Sequence, residues 1–371
     1  MIAMVIVAMI ASAGKEAMMS EKKFMKGNEA IAEAAIRAGL NFYAGYPITP
    51  ATEILEYFAV HLPAKGGVFI QAASEIEAIN MVYGAAAGGA RAMTSSSSPG
   101  MSLKMECISY IALAELPCVI VDIMRGGPGL GDIQPAQSDY FQIVKGGGHG
   151  DYRLIVFAPS TVQEAYDLTF ESYSLADRWR IPVVILGDGA LGQVKEGIEL
   201  REKSSVLIEK PWALSGAKGR KSNRIVPFNL EPLELEKMNL ALQEKYRAIE
   251  KSEVCFEEVN INFETELIIV AYGTCGRIAK SVIKMAAENG LHIGLIRPIT
   301  LWPFPCDEIR YWACNFPNKK FLVVEMSAGQ MIEDVRLAVG DDKKISFYGK
   351  MGGVVPTPEE ILEEIERRVL C

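Results

Sequence analysis

Short apolar runs alternate with helix-like segments along most of the chain after about residue 25. The runs at 117–124 (PCVIVDIM) and 181–188 (IPVVILGD) are apolar almost throughout, which is typical of strands buried on both faces of a parallel sheet. Longer segments with cap residues at their ends lie between such runs, and the first of them begins at Asn28. We therefore predict an α/β fold that consists of two doubly wound parallel-sheet domains.

Changes in composition divide the chain into four parts. Residues 25–202 form the first α/β unit, and residues 263–371 form a second, smaller one. The stretch between them, 203–262, is polar and interrupted by Gly and Pro before a charged amphipathic helix, which predicts a linker whose helix lies on a surface. Residues 1–24 precede the first unit, and we interpret them as an extension that is not functional.

The extension starts with an apolar run at residues 1–14, which is too short to span a bilayer. It has no leading Lys or Arg, although Ala11-Ser12-Ala13 resembles the cleavage site of a signal peptide. From the sequence, a signal peptide, a packed or disordered extension and a true start at Met19 are all open.

Net charge and the scarcity of metal-binding residues narrow the function. The chain has 371 residues and a net charge of −8, which argues against a general nucleic-acid binder because such proteins need a basic face. Its three histidines form no metal-binding pair, and none of its seven cysteines forms a CxxC pair. We predict no metal site in this chain, no membrane association and, from the scattered cysteines, a location in the reducing cytoplasm.

The segment Tyr46-Pro47-Ile48-Thr49-Pro50 lies where a predicted strand ends and a predicted helix begins. Ligands of open parallel sheets bind beyond the carboxyl ends of the strands. The Thr49 hydroxyl and the free N–H groups of the helix are therefore suited to hold an anion. The alternative is a plain structural role, in which Thr49 caps the helix and Pro50 occupies its first position.

Three further polar features follow predicted strands. Glu75 starts the helix after one strand, four serines at 95–98 follow the next, and Arg125 follows the third. An arginine in this place is suited to bind a carboxylate through two hydrogen bonds. Taken singly, Glu75 is an ordinary charge at a helix N-terminus and Arg125 an ordinary surface residue. Because these features and Thr49 fall at the same sheet edge, we predict that they form one site.

Two glycine-containing turns resemble phosphate or metal sites. Gly187-Asp188-Gly189 resembles the GDG of a magnesium–pyrophosphate site, but no asparagine follows at the spacing that such a site needs. Residues 273–276 (GTCG) do not form a Walker motif. We interpret both as tight turns at the ends of strands.

Several segments resemble the alpha subunit of the 2-oxoacid:ferredoxin oxidoreductases. In the first unit these are YPITP, SEIEAINMVYGAAAGGARAMTSSSSPG and the RGGPG loop, and in the second unit they are ELIIVAYGTCGRIAKSV and FLVVEMSAGQMIEDVRLAV. The resemblance covers about residues 25–371, with the motifs in the family's order. The stretch at 126–153 is most similar to the branched-chain type, which acts on 2-oxoisovalerate (3-methyl-2-oxobutanoate).

This resemblance implies a chemistry and a set of partners. Enzymes of this family decarboxylate a 2-oxoacid on thiamine diphosphate, transfer the acyl group to coenzyme A and pass electrons through iron–sulfur clusters to ferredoxin. The alpha chain resembles a thiamine-diphosphate pyrimidine-binding domain followed by a transketolase-C-terminal-like domain. The implied partners are a beta subunit, which holds the diphosphate and Mg²⁺, and gamma and delta-type subunits, of which the delta type is ferredoxin-like; the iron–sulfur clusters belong to partner chains.

The resemblance also implies roles for single residues. Glu75 matches the catalytic carboxylate that hydrogen-bonds the pyrimidine N1′, and Thr49 and Arg125 match residues that hold the substrate carboxylate. Family members that use 2-oxoglutarate tend to carry threonines where this chain has Leu130 and Gln134, so Leu130 is expected to contact an apolar acyl chain. The residues expected to bind the cofactor are Tyr46, Pro47, Ile48, Glu75 and Ser97.

A branched-chain 2-oxoacid enzyme is therefore the favoured function. The alternatives are the alpha subunit of a 2-oxoglutarate or pyruvate:ferredoxin oxidoreductase, the beta chain of an E1-type 2-oxoacid dehydrogenase, and a non-catalytic scaffold. The YPITP and RGGPG motifs argue against the E1-type chain. The joint presence of Glu75, Thr49 and Arg125 argues against a scaffold.

Overall fold

The computed structural model describes residues 21–202 and 208–369. The predictions made for residues 1–20, including the signal peptide and the alternative start, lie outside the described residues. In the described ranges the α/β prediction is confirmed, because two largely parallel sheets alternate with helices along the chain. Within these same ranges, none of the helices combines the length and the apolar character needed to cross a membrane.

A strand that the sequence interpretation missed, β1 (Glu21–Lys26), pairs antiparallel with β8 (Lys195–Leu200). Most of β1 falls within the extension assigned to residues 1–24, so part of that extension belongs to the first unit. Met25 is buried in an apolar cluster. The lysines around it leave no apolar run or regular alternation that would predict a strand.

Seven strands of the described chain form the larger sheet: β2 (Phe42–Gly45), β3 (Val68–Gln71), β4 (Ala92–Ser96), β5 (Cys118–Met124), β6 (Ile155–Phe157), β7 (Pro182–Asp188) and β12 (Thr300–Trp302). Their order is β12-β6-β7-β5-β4-β2-β3. All neighbouring pairs run parallel except β12 and β6. β5 and β7 are buried along their whole length, as expected for a parallel sheet covered on both faces.

Helices connect these strands: α1 (Gly27–Arg37), α2 (Thr52–His61), α3 (Glu75–Ala87), α4 (Ser98–Leu113), α5 (Val162–Trp179) and α6 (Gly189–Gln193). Because α2 begins at Thr52 and is preceded by Ala51 as its cap residue, the structural alternative, in which Thr49 caps this helix and Pro50 occupies its first position, is wrong. The Asn28 side-chain amide donates to the Pro50 carbonyl at 2.7 Å. This contact ties Pro50 to α1 and leaves it outside α2.

The second unit contains a sheet of five described strands: β9 (Phe256–Val259), β10 (Leu267–Val270), β11 (Ile293–Pro298), β13 (Lys320–Glu325) and β14 (Ile345–Gly349). Their order is β14-β13-β10-β11-β9, and β9 is the strand that runs antiparallel to its neighbour. β9 falls within the linker assigned to residues 203–262. The described part of that linker therefore contributes a strand to the second sheet.

The other elements of this half of the chain are the helices α7 (Pro232–Ser252), α8 (Gly273–Glu288), α9 (Cys306–Asn315), α10 (Met331–Val339) and α11 (Pro358–Val369). α7 is the amphipathic helix of the linker. It is exposed over most of its length and buries Leu242, Tyr246 and Ile249 against the larger core.

The second unit holds the long loop that follows β5. The Gln137 side chain of this loop is fully buried. Its Nε2 donates to the Tyr272 carbonyl at 3.0 Å, and its Oε1 accepts from the Met326 N–H at 3.0 Å. The Gln137 N–H also donates to the Met326 carbonyl at 2.8 Å. The second unit therefore fixes the loop that Arg125 begins.

Candidate active site at the carboxyl edge of the larger sheet

The carboxyl ends of β3, β2, β4 and β5 lie next to one another, since these strands are neighbours in the larger sheet. The polar features predicted from the sequence follow these four ends. Glu75 follows β3, Thr49 follows β2, the serines at 95–98 end β4, and Arg125 follows β5. The structure thus brings them together at one edge, in the place where open α/β sheets bind their ligands.

Arg125 is buried directly beyond β5, with 7% of its surface exposed. One terminal nitrogen, Nη1, donates to the Thr49 carbonyl, and the other, Nη2, donates to the Leu130 carbonyl, both at 2.9 Å. The third nitrogen, Nε, is buried without a hydrogen-bond partner among the described atoms. A buried guanidinium with an unused N–H is suited to bind a carboxylate.

Thr49 and Leu130 contact Arg125 through their backbones. Thr49 is exposed, and its carbonyl oxygen, rather than its hydroxyl, accepts from the guanidinium. Leu130 also offers its carbonyl, while its side chain is 80% exposed. Both residues therefore lie beside the predicted carboxylate-binding group, with their side chains free of these hydrogen bonds.

Glu75 is the first residue of α3 and is buried, with 7% of its surface exposed. The helix is capped by Ser74, whose Oγ accepts from the Glu77 N–H at 3.2 Å. Gly100 on α4 makes room for Glu75, because a methyl group at that position would lie 2.7 Å from Glu75 Oε1 and 2.2 Å from Ser96 Oγ. A side chain at residue 100 is therefore incompatible with the present position of the carboxylate.

A buried lysine lies under Glu75. Lys104 on α4 is fully buried, and its Nζ donates to the Glu75 carbonyl at 3.2 Å and to Thr94 Oγ1 at 3.1 Å. Burial lowers the pKa of Lys104 to about 8, against the opposing effect of the Glu75 carboxylate. The sequence interpretation missed Lys104, although its spacing from Met101 and Ile108 places it on the buried face of the helix.

The four serines have different roles. Ser95 Oγ shares a hydrogen bond of 2.6 Å with the Tyr43 hydroxyl. Ser98 Oγ accepts from the Arg125 N–H at 3.0 Å and donates to the Asp139 carboxylate. The hydroxyls of Ser96 and Ser97 are buried without a partner among the described atoms. Two unpartnered hydroxyls at the end of β4, of which Ser96 lies near Glu75, fit a polar ligand at this edge.

The remaining residues assigned to cofactor binding lie on the loop between β2 and α2. Tyr46 is 39% exposed, and Pro47 and Ile48 are half-buried. This loop ends at Thr49, whose carbonyl contacts Arg125. It therefore borders the same edge as Glu75, with an aromatic ring and two apolar side chains.

Two acidic residues near Arg125 were also missed. Asp122 interrupts the apolar strand β5 and is fully buried, and Asp139 lies in the loop after β5 with 6% of its surface exposed. A single carboxylate in an otherwise apolar buried strand is the signal that a reading of the sequence could have used.

Each of the two glycine-containing turns begins a helix. Asp188 caps α6, because one of its carboxylate oxygens accepts from the N–H groups of Ala190 and Leu191 at 3.0 and 3.1 Å. Gly273 begins α8 with a φ of +53°. Across residues 21–202 and 208–369, no group of three or more His, Cys, Asp or Glu side chains is placed to hold a metal ion.

Comparison with protein-family models gives a match to "Pyruvate flavodoxin/ferredoxin oxidoreductase, thiamine diP-bdg" over residues 33–260. The chain belongs to this family. The "Pyruvate:ferredoxin oxidoreductase core domain II" model matches residues 265–361. The family resemblance seen in the sequence motifs and the fold expected from it are therefore confirmed.

Two groups of relatives match nearly the whole chain. It is 49% identical over 346 residues to "Ketoisovalerate oxidoreductase subunit VorB" of Methanothermobacter thermautotrophicus, which covers 92% of this chain and 97% of that protein. It is 36% identical over 375 residues to "2-oxoglutarate synthase subunit KorA" of Methanothermobacter marburgensis, which covers 94% of this chain and 99% of that protein.

Solved structures agree on the fold. The chain is similar to "2-oxoglutarate:ferredoxin oxidoreductase from Magnetococcus marinus with 2-oxoglutarate, coenzyme A and succinyl-CoA bound", with a TM-score of 0.82 and 28% identity over 98% of this chain and 69% of that chain. A "Split gene transketolase, inactive beta4 tetramer" has a TM-score of 0.57 and 11% identity over 93% of this chain and 97% of that chain, which shows a shared fold alone.

Proposed function

We propose that this chain is the alpha subunit of a 2-oxoacid:ferredoxin oxidoreductase that acts on a branched-chain substrate, 3-methyl-2-oxobutanoate. The 2-oxoacid and coenzyme A would give acyl-CoA, CO2 and a proton, and the two electrons released would reduce two ferredoxins. The observation that carries the proposal is the 49% identity to a ketoisovalerate oxidoreductase subunit over 97% of its length. Identity to the 2-oxoglutarate synthase subunit is 36%.

The residues at the sheet edge fit thiamine diphosphate, whose reactive carbon supplies the nucleophile for decarboxylation when the cofactor is bound. Glu75 would accept a hydrogen bond from the pyrimidine N1′, since its carboxylate is buried at the first turn of α3. The unpartnered hydroxyls of Ser96 and Ser97 support a polar ring nearby. Tyr46, Pro47 and Ile48 would form the apolar border of the pyrimidine site.

Arg125 would bind the carboxylate that all 2-oxoacids share. The Nε–H of Arg125 has no hydrogen-bond partner among the described atoms, and the guanidinium is buried. Burial strengthens a hydrogen bond between charged groups. Thr49 would contribute its hydroxyl, because its carbonyl is already bonded to the guanidinium. Together these two residues would select the 2-oxoacid class and orient the ketone.

Leu130 would select among 2-oxoacids. Its carbonyl accepts from Arg125 Nη2, so the loop turn that carries its side chain lies beside Arg125. An apolar side chain there gives no hydrogen bond to a second carboxylate, and burial of an unpaired carboxylate costs several kcal/mol. A branched alkyl tail instead gains about 0.8 kcal/mol per buried CH2.

The proposed complex includes a beta subunit that binds the diphosphate and Mg²⁺, and gamma and delta-type subunits, of which the delta type is ferredoxin-like; the iron–sulfur clusters lie on partner subunits. Apolar side chains beside the site support such a partner, since Ile76 is 51%, Leu103 50% and Ile133 55% exposed. Asp188 supports the assignment of the diphosphate and Mg²⁺ to the beta subunit, because its carboxylate already caps α6 of this chain. The six described cysteines are free, which supports the proposed cytoplasmic location.

The test is a substrate panel on the co-purified complex, with coenzyme A and a viologen dye as the acceptor. We expect 3-methyl-2-oxobutanoate and its leucine- and isoleucine-derived analogues to have the highest kcat/KM. 2-Oxoglutarate should be worse by at least about a hundredfold, or about 2.7 kcal/mol. Equal kcat/KM values for the two acids would contradict the role of Leu130, and a higher value for 2-oxoglutarate or pyruvate would favour that alternative. A complex without cluster absorbance would instead indicate an E1-type enzyme.

A further inference from the structure

Asp122 has a buried carboxyl group to which no described side chain donates a hydrogen bond. It lies on β5, three residues before Arg125, with no exposed surface. Neither of its oxygens accepts a hydrogen bond from a described side chain. Its side chain is in hydrogen-bond contact with the carboxyl group of Asp139, which is itself buried. Two carboxylates in contact inside a protein repel each other strongly unless a proton lies between them.

The surroundings show which member of the pair carries the charge. Asp139 receives two hydrogen bonds, from Gln142 Nε2 at 2.7 Å and from the Ser98 hydroxyl. Asp122 receives no hydrogen bond from a described side chain, and the Ser98 backbone N–H is the donor that acts on it. Its hydrogen bond with the charged Asp139 therefore requires that Asp122 donate its own proton. Burial and the neighbouring Asp139 carboxylate raise the pKa of Asp122 well above its usual range, against the opposing effect of the Ser98 backbone N–H.

Arg125 and Tyr272 are two further groups that interact electrostatically with Asp139. Burial also raises the pKa of Asp139, while the hydrogen bonds that it receives and the charge of Arg125 act in the opposite direction. The Tyr272 phenol of the second unit donates to the Gln137 carbonyl at 3.2 Å and interacts electrostatically with Asp139. Burial raises the pKa of this phenol well above 10.0, so Tyr272 is neutral. The positive charge that acts on Asp139 is that of Arg125.

The pair is connected to Arg125 through one hydroxyl. Ser98 Oγ accepts from the Arg125 backbone N–H at 3.0 Å and donates its own proton to Asp139. The hydrogen bonds therefore run from Arg125 to Ser98 to the charged Asp139, which in turn accepts from Asp122. The start of the Arg125 loop is thus held both by the strand that carries Asp122 and by the side chain of Asp139.

We propose that Asp122 and Asp139 share one proton and that the protonated pair is a positioning element, which holds Arg125 in place for the substrate carboxylate. The inference rests on the proposed function for the identity of that substrate. Loss of the proton would leave two negatively charged carboxylates in contact. Their repulsion would disturb the Ser98 hydroxyl that bonds Asp139 and, through it, the backbone of Arg125. Substrate binding would then weaken as the pH rises.

The shared proton is tested by infrared spectroscopy on the assembled complex. Wild type should show a carboxylic-acid C=O band that shifts in D2O and persists above neutral pH. The band should be absent in Asp122→Asn and retained in the control Asp151→Asn, which removes an exposed carboxyl group of the same loop. A spectrum of Asp122→Asn identical to that of wild type in this region would overturn the shared proton.

The positioning role is tested by the KM for 3-methyl-2-oxobutanoate. Asp122→Asn keeps a donor for Asp139 and cannot titrate, so its KM at neutral pH should be within about twofold of wild type and should not rise at alkaline pH, where that of wild type does. Asp122→Leu has no donor, so its KM should rise at least about tenfold at every pH, with a smaller change in kcat.

The outcomes separate this inference from the proposed function. A KM for Asp122→Leu equal to that of wild type, or an alkaline rise of KM that persists in Asp122→Asn, would overturn the positioning role. Failure of the proposed function would show in the wild-type complex itself, which would then turn over none of the branched-chain acids. The infrared band does not depend on the substrate, so it tests the shared proton in either case.

Discussion

At the scale of single residues, the Glu75 carboxylate lies between Gly100, which has no side chain to displace it, and Lys104, which carries a buried charge. The contact of Lys104 is with the Glu75 carbonyl, so the ammonium does not occupy the carboxylate oxygens. An anion that is buried, balanced by a nearby cation and free of a direct ion pair remains available to a ligand.

Replacement of this carboxylate tests its role directly. In Glu75→Gln, hydrogen–deuterium exchange at the cofactor C2 should slow by at least about a hundredfold in the reconstituted complex, because the amide cannot supply the charged partner of N1′. Glu77→Gln is the matched control, since Glu77 is an exposed carboxylate in the same helical turn. Exchange at the wild-type rate in Glu75→Gln would mean that this residue is only a helix-end charge.

At the scale of elements, the first turn of α4 sets the geometry of the site. It carries Ser98, which bonds the Arg125 backbone, and Gly100, which lies against Glu75. Alanine is normally more favourable than glycine inside a helix, by about 1 kcal/mol. The glycine at this packing contact therefore meets a steric requirement of the site.

Gly100→Ala should therefore destabilise the chain despite its helix propensity. The added methyl group overlaps Ser96 Oγ and Glu75 Oε1, and overpacking of this kind costs about 1–3 kcal/mol. Gly84→Ala is the control, because Gly84 is in α3 with open space around its Cα, and it should gain up to about 1 kcal/mol. Urea unfolding measures both; a stabilised Gly100→Ala would show that α4 shifts without cost.

The elements also show what the sequence could and could not predict. Long apolar strands such as β5 and β7 were evident because burial on both faces leaves an unbroken apolar run. β1, β9 and β12 were missed, since they are short or polar and depend on pairing with distant strands. Glu75 and Arg125 follow strands and were found by position. Lys104 and Asp122 lie within apolar elements, where their positions in the pattern show burial but only the structure shows their partners.

At the scale of the whole molecule, charged contacts join the two units. Arg297 on β11 is 2% exposed, and it bonds Glu164 on α5 through Nη1 and Nη2, at 3.1 and 2.6 Å. Its Nε donates to Glu257 on β9 at 2.7 Å. Because Glu164 belongs to the first unit and Glu257 to the second sheet, this one guanidinium connects them.

Arg297→Met should destabilise the protein by about 2 kcal/mol, less than the 3–5 kcal/mol of a fully buried pair, because both carboxylates are partly exposed and solvent screens them. Arg310→Met is the control: its partner Asp307 is almost fully exposed, so the change should be small. The midpoint of urea unfolding measures both. Equal midpoints for the two variants would contradict a stabilising role for the Arg297 contacts.

The isolated chain is expected to be inactive. It supplies Glu75 and Arg125 but relies on a beta subunit for the diphosphate and Mg²⁺ in the proposed complex, so cofactor binding requires both chains. The measurement is turnover of 3-methyl-2-oxobutanoate by the folded chain with thiamine diphosphate and Mg²⁺, before and after addition of the beta subunit. Turnover before the addition would contradict the shared cofactor site.

The pairing of β12 with β6 has a consequence for any attempt to separate the units. β12 follows the start of the second unit in the sequence, yet it covers the edge of the first sheet. A fragment that ends at residue 262 would leave the backbone N–H and C=O groups of β6 open along that edge. Such an edge is a template for strands of other molecules, so the fragment would tend to aggregate even though most of its own core is intact.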